Sequence, residues 1–383
     1  MDEDPKKTVL WRKRLIRIAG SFLSLAVLTY IAVALISGSK SGIFRIFGLF
    51  SENETARMTS EYFFDVGRSR MFADIDGSLV AAGTLGIQVL DPGGNETLRD
   101  PFRMATPMVC SEGGRAISFD IGGTSVRVFN KTEVLASTET GGAIISASIN
   151  QNGWYAVCSH EGGASGGSVT VYNDAGKPVY RVNLASGYVL SAVLTSDNKS
   201  MAILNLTPDG SRISFYELNS KDVDHVYELP GRLILDMSYT TGGAALLVTE
   251  DSLITVDKKN EGTELYNYEG RSLGGYSIDA GNIVLYMLDY NVGYNGRIVS
   301  INEKGSILGE TETDREVIAI SFSGGNVALL RSDGVLVLNA SLEELPIAGN
   351  SVSSVGATEI LSFGSGRVLA AGDHSAVAFR VES

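Results

Sequence analysis

The order of apolar and polar positions divides the chain into two unequal parts. From Ile18 to Ser39 no charged residue occurs over 22 positions, and Ser21 to Ile36 is nearly all apolar. From Glu61 onward the pattern changes to runs of five to nine apolar or alternating residues, each closed by Gly, Asn, Asp or Ser. Helical periodicity is absent there. Runs such as Ser168 to Tyr172, Arg212 to Tyr216, Ser252 to Val256 and Gly296 to Ile301 are rich in β-branched and aromatic residues and end at turn formers, which predicts strands.

These runs recur as a unit of about 40 residues: an apolar strand, a polar turn, a very apolar strand, a second turn, a strand ending in Asn or Asp, a hairpin turn, and a more polar strand. The first strands of successive units fall near residues 69, 106, 143, 189, 232, 273, 316 and 357. A period of this length with four strands per unit predicts a β-propeller, each unit being a radial blade that buries both faces against its neighbours. A sandwich would show seven to nine strands in about 100 residues instead. Eight blades are expected, with seven as the alternative count. The last unit supplies only three strands before Ser383, and one orphan strand, Glu61 to Val66, precedes the first. Pairing the orphan onto the last blade would close the ring and remove an open edge. Paired glycines such as Gly113-Gly114, Gly274-Gly275 and Gly324-Gly325 are expected between strands.

The apolar run at the N-terminus has its own reading. About 20 helical residues cross a hydrocarbon core roughly 30 Å thick. Six Lys/Arg precede the run within residues 1–17, whereas Lys40 and Arg45 alone follow it closely, so the positive-inside rule predicts a cytoplasmic tail (1–17), a transmembrane helix (18–39), a juxtamembrane connector (40–60) and an extracytoplasmic propeller (61–383). A cleavable signal peptide would have a shorter apolar region and small residues where Leu35 and Ile36 stand. The anchor makes the membrane a partner through residues 18–39.

Charge sharpens the division. The tail carries a net +3, and the other 366 residues hold 25 basic and 41 acidic side chains, a net of −16. An acidic exterior without clustered Lys/Arg argues against nucleic acid as a partner.

The basic tail, the anchor and blade phrases such as SVTVYNDAGKPVYRV (168–182) and SAVLTSDNKSMAIL (191–204) resemble a family of bacterial membrane-anchored propellers that is a domain of unknown function; more broadly the chain is similar to quinoprotein-like and WD40-like propellers. The resemblance implies the fold and brings no activity or site. The exterior part has a single tryptophan, Trp154, and no Trp-Asp dipeptide, which departs from quinoprotein dehydrogenases and from WD40 repeats.

Candidate chemistry is sparse. The three histidines, His160, His225 and His374, form no zinc-binding or metalloprotease spacing, so no metal or cofactor is expected. Cys110 and Cys158 fall on different strands of neighbouring blades and are read as small buried thiols rather than a disulfide. Asp74-Ile-Asp76-Gly77 lacks the later ligands of a calcium loop and reads as a turn. What remains is the face on which second-to-third loops and blade-to-blade connections gather. Long loops are expected at His160 to Gly167, Asn205 to Ser211 and Asp289 to Gly296, bringing His160, Glu161, Asp209, Tyr290, Asn291 and Tyr294 to that face, with Asp373 and His374 on a shorter loop of the last blade. Tyrosines among glycines suit a binding surface. The expected function is a non-catalytic binding or scaffold module for an envelope protein or polymer. The alternatives are a hydrolase or quinone-dependent oxidoreductase with its site in the central channel, and a purely structural envelope component.

Overall fold

The computed structural model describes residues 61–162, 167–184, 186–289, 294–348 and 356–382. The predicted tail, anchor and connector lie outside these residues. No helix among the described residues is long and apolar enough to cross a membrane.

Eight antiparallel sheets are arranged as blades, with first strands Met71–Ile75, Pro107–Glu112, Ala143–Ile149, Tyr188–Leu194, Ile234–Tyr239, Ser272–Asp279, Val317–Ser323 and Glu359–Phe363. Each first strand begins within about two residues of the expected position. Neighbouring first strands touch, those of blades 5 and 6 through the Tyr276–Asp236 hydrogen bond, and that of blade 8 meets that of blade 1, so they form the innermost layer of a closed ring.

The core is divided among the blade interfaces. Eight buried clusters occur, one for each pair of adjacent blades including 8 and 1. A second strand packed on both sides has no polar face, which explains why Ser78–Gly83 and Ala245–Thr249 are buried at every position. Its side chains alternate between interfaces: Leu79 and Ala81 join the cluster shared with blade 8, Val80 and Ala82 the one shared with blade 2. Each fully buried aliphatic side chain contributes roughly 1.5–3 kcal/mol. Fourth strands have one neighbour only and alternate, as in Pro178–Leu184.

The orphan strand closes the ring as expected: Glu61–Phe63 pairs with Ser375–Val381, the third strand of blade 8, Tyr62 lying opposite Ala376. Arg367 fastens this junction. Its guanidinium donates to the Tyr62 hydroxyl (3.0 Å), to Pro92 O (3.3 Å) and to Gly77 O, and lies 4.9 Å from the Phe363 ring centre. Tyr62 is fully buried and donates in turn to Pro92 O at 2.9 Å.

Three expectations need correction. Blade 7 has three strands, because the segment after Gly334–Asn339 leaves it and Ile347–Ala348 pairs instead with the C-terminal end of Ser375–Val381, beyond the stretch taken by Glu61–Phe63. Asn205 to Ser211 is not a long loop: Ser200–Thr207 and Gly210–Glu217 pair to the end, leaving a turn at Pro208 and Asp209, and Asn205 is buried in the ladder. Gly274-Gly275 lies inside Ser272–Asp279 rather than between strands, at a slip in pairing register. A side chain at Gly274 would meet the Tyr286 ring at 2.8 Å. Asp76 and Gly77 do form a turn, both with positive φ, and the Asp74 carboxylate accepts the Gly77 N–H at 2.6 Å.

Candidate functional site: one face of the ring

Second-to-third loops and blade-to-blade connections share one face, here called the upper face. They are stitched together by backbone hydrogen bonds: Ile121 N–H to Thr106 O (3.0 Å), Gly231 N–H to Asp209 O (2.7 Å), Glu250 N–H to Leu233 O (3.2 Å) and Phe64 N–H to His374 O (3.2 Å). The expected site residues accordingly reach this face, but on blades 3, 4, 6 and 8, spread around the ring rather than gathered. Glu161 pairs with Arg181 at 2.6 Å beside an open groove of about 500 Å³ between the outer parts of blades 2 and 3. Asp373 pairs with Arg70 at 2.7 Å. His160, Asp209, His374 and Tyr294 are exposed. Tyr290 and Asn291 lie outside the described residues.

A feature that sequence reasoning missed lies at the centre of this face. In blades 3 to 7 the pairing of first with second strand slips by one residue near the upper end, skipping Ile145, Leu190, Leu235, Gly274 and Ile318. Such a bulge leaves one residue unpaired and re-aims its side chain. Leu190 is 37%, Leu235 49% and Ile318 46% exposed, and none of the three belongs to an interblade cluster. On the innermost strands, exposed side chains outside both interfaces face the mouth of the central channel. Tyr188 and Leu233 flank them, also exposed. The available signal was the continuous apolar run at the start of these strands, YVL and LIL, where a regular half-buried strand would alternate.

The channel wall below is acidic. The eight innermost strands carry five charged residues, Asp74, Glu112, Asp236, Asp279 and Glu359, and neither Lys nor Arg. Burial raises the Asp236 carboxyl above its ordinary range, opposed by the Tyr276 hydroxyl that donates to it at 3.1 Å from the next blade. Glu112 is raised by burial and by Asp279, and Glu359 by burial. Asp74 is turned toward the junction with blade 8 and pushed up to about 6, chiefly by burial. Polar side chains of these strands also join blades: Ser146 and Ser148 donate to Leu190 O and Ala192 O of the next blade (2.8 and 2.6 Å). Cys110 makes an equivalent contact, 3.6 Å from Ala147 O. Cys110 and Cys158 are free thiols, and burial pushes both up to about 12, which keeps them protonated.

A His–Asp contact lies elsewhere. On the outer strand of blade 4, His225 Nδ1 is 2.8 Å from Asp224, and the imidazole stacks on Phe215 at 4.2 Å. The adjoining cleft holds about 70 Å³, well under the several hundred of a typical ligand pocket. Among the described residues no group of three or more His, Cys, Asp or Glu could hold a metal ion.

Eight radial sheets of three to five strands around one channel, closed by a strand from the far end of the sequence, define a β-propeller. The model of the family of unknown function DUF5711 matches residues 51–343, and the chain belongs to that family. No curated protein matches it. Among solved structures, the C-terminal WD40 domain of Sif2 aligns with a TM-score of 0.58 at 12% identity, covering 87% of this chain and 100% of that one. The hydrazine synthase of Kuenenia stuttgartiensis aligns with a TM-score of 0.51 at 12% identity, covering 76% and 100% respectively. At such identity these likenesses speak for the fold alone.

Proposed function

We propose that this propeller is a membrane-anchored, extracytoplasmic binding module that holds an envelope protein or polymer on its upper face and performs no chemistry itself. The observation that carries the reading is the distribution of exposed large apolar side chains among the described residues. Tyr188, Leu190, Leu233, Leu235, Tyr294 and Ile318 lie on the upper face, as do Leu85 and Ile121; the others, Phe63, Val179, Val223, Ile307 and Leu308, lie on outer strands away from the channel mouth. Leaving them in water forgoes about 25 cal/mol for every Å² that a partner would cover. Location rests on sequence: the apolar run 18–39 and its basic flank support an anchor with the propeller outside the cytoplasm. The net charge of −16 beyond residue 17 supports a partner other than nucleic acid.

The test places a photo-crosslinking amino acid at Tyr188 or Leu235 on the upper face, and at Asp174 or Lys259 on the lower face, in the full chain in intact cells. Discrete adducts are expected from the upper positions alone. Adducts from the lower positions only, or from neither pair, would overturn the assignment.

A further inference from the structure

We propose that the upper channel mouth is a docking site for a protein segment that carries both apolar and Lys/Arg side chains, held by the collar of Tyr188, Leu190, Leu233, Leu235 and Ile318 above the carboxylates of the inner wall. This rests on the upper face being the binding face and adds the chemistry of what it binds.

Three observations converge on it. Three of the collar residues, Leu190, Leu235 and Ile318, are exposed by register slips in blades 4, 5 and 7, and their side chains take no part in the interblade cores, so the ring would pack equally well with polar residues there. Ile234 and Met237, on either side of Leu235, are each only 3% exposed, so one strand both seals a core and presents an apolar side chain. Around and below the collar every charged residue of the inner strands is acidic. Glu359 starts its strand at the upper end, Asp236 sits one position below Leu235, and Glu112 and Asp279 close their strands at the lower end. A neutral apolar ligand would satisfy the collar and leave the carboxylates without a counter-charge, and an anionic one would be repelled. A segment with both apolar side chains and a cation complements the two layers together. An anionic lipid surface fits the collar but meets the acidic wall and the acidic exterior.

The probe is a 16-residue peptide of leucine and lysine spaced for an amphipathic helix, labelled for fluorescence anisotropy and titrated against the full chain in lipid nanodiscs. A counterpart with glutamate for lysine and vesicles of phosphatidylglycerol serve as comparators. The Leu/Lys peptide is expected to bind at least tenfold more tightly than the Leu/Glu peptide. The double variant Leu190→Ser/Leu235→Ser, and separately Glu359→Gln, should each weaken it at least fivefold with the unfolding temperature preserved, whereas the lower-face variants Asp174→Asn and Glu133→Gln should leave it unchanged. An equal loss in the lower-face variants would reduce the effect to general charge attraction and overturn the proposal, as would indifference to the collar substitutions or a collar-dependent preference for the vesicles. If the peptide fails while crosslinks still form from Tyr188, the chemistry assigned to the partner is wrong and the binding face stands; if both fail, the binding face falls too.

Discussion

The two faces of the ring are built from the same repeating unit, yet their chemistry is opposite. On the lower face, six of the turns that follow a third strand open with an Asp or Asn, at positions 91, 130, 173, 257, 302 and 339, whose side-chain oxygen accepts two N–H groups of its own turn. Such turns satisfy their own backbone and need nothing from outside. The lower face also holds the closure, where Arg367 joins Tyr62, Gly77 and Pro92. The upper face has slipped registers and exposed leucines instead. The difference teaches that stability and recognition occupy opposite ends of one scaffold, so substitutions of similar size should have unequal consequences on the two sides.

The largest contrast is between two tyrosines. Tyr62→Ala removes a fully buried ring and two hydrogen bonds from the lower closure and should cost about 3–5 kcal/mol in chemical denaturation, whereas Tyr188→Ala, at a side 72% exposed, should change stability by less than about 0.5 kcal/mol. Comparable losses at both positions would break the division of roles. Next comes Asp74, beside the same closure. Its carboxyl titrates at about 6 in the folded protein, above its ordinary value, so the folded state binds a proton that the unfolded state has released. The resulting cost is present above pH 6 and disappears below about pH 4. Asp74→Asn should therefore raise the unfolding temperature at pH 8, by the equivalent of about 1–2 kcal/mol, and leave it unaltered at pH 4. A destabilisation at pH 8 would show that attraction to Arg367 and Lys131 outweighs burial. The smallest effect is expected at a single lower turn. In Asn173→Ala, the N–H groups of Ala175 and Lys177 lose their acceptor, at 3.2 and 2.9 Å, for about 0.5–1.5 kcal/mol in thermal unfolding. No change there would mean that water replaces the side chain without penalty and that the turns are less self-sufficient than their geometry indicates.

Much of the ring was legible along the chain. A strand buried on both faces must be apolar throughout, and a turn must begin with residues able to hold it, so segments such as Ala245–Thr249 and the Asn173 turn announce themselves within a few residues. The orphan strand was legible by subtraction, since the last unit lacked a partner for its outer edge. The candidate site was legible only by topology. Loop positions put His160, Glu161, Asp209, Tyr294, Asp373 and His374 on loops of one face, but which of them are tied down, as Glu161 is by Arg181 and Asp373 by Arg70, depends on side chains from other strands. The collar escaped because Leu190, Leu235 and Ile318 sit in runs that read as ordinary core strand.

The sequence by itself therefore determined the period of the repeat, the apolar second strands, most of the turns and the net negative charge beyond residue 17, because each depends on residues close together in the chain. Tertiary structure alone decided three things. It sent Ile347–Ala348 to blade 8 instead of blade 7, turned Arg367 into the closure fastener, and made the upper mouth apolar through the register slips that expose Leu190, Leu235 and Ile318. Each of these is a choice between partners that lie far apart in sequence. The physical reason is that a strand's register and outer edge are settled by what packs on its two faces, and in a closed ring those faces belong to other blades.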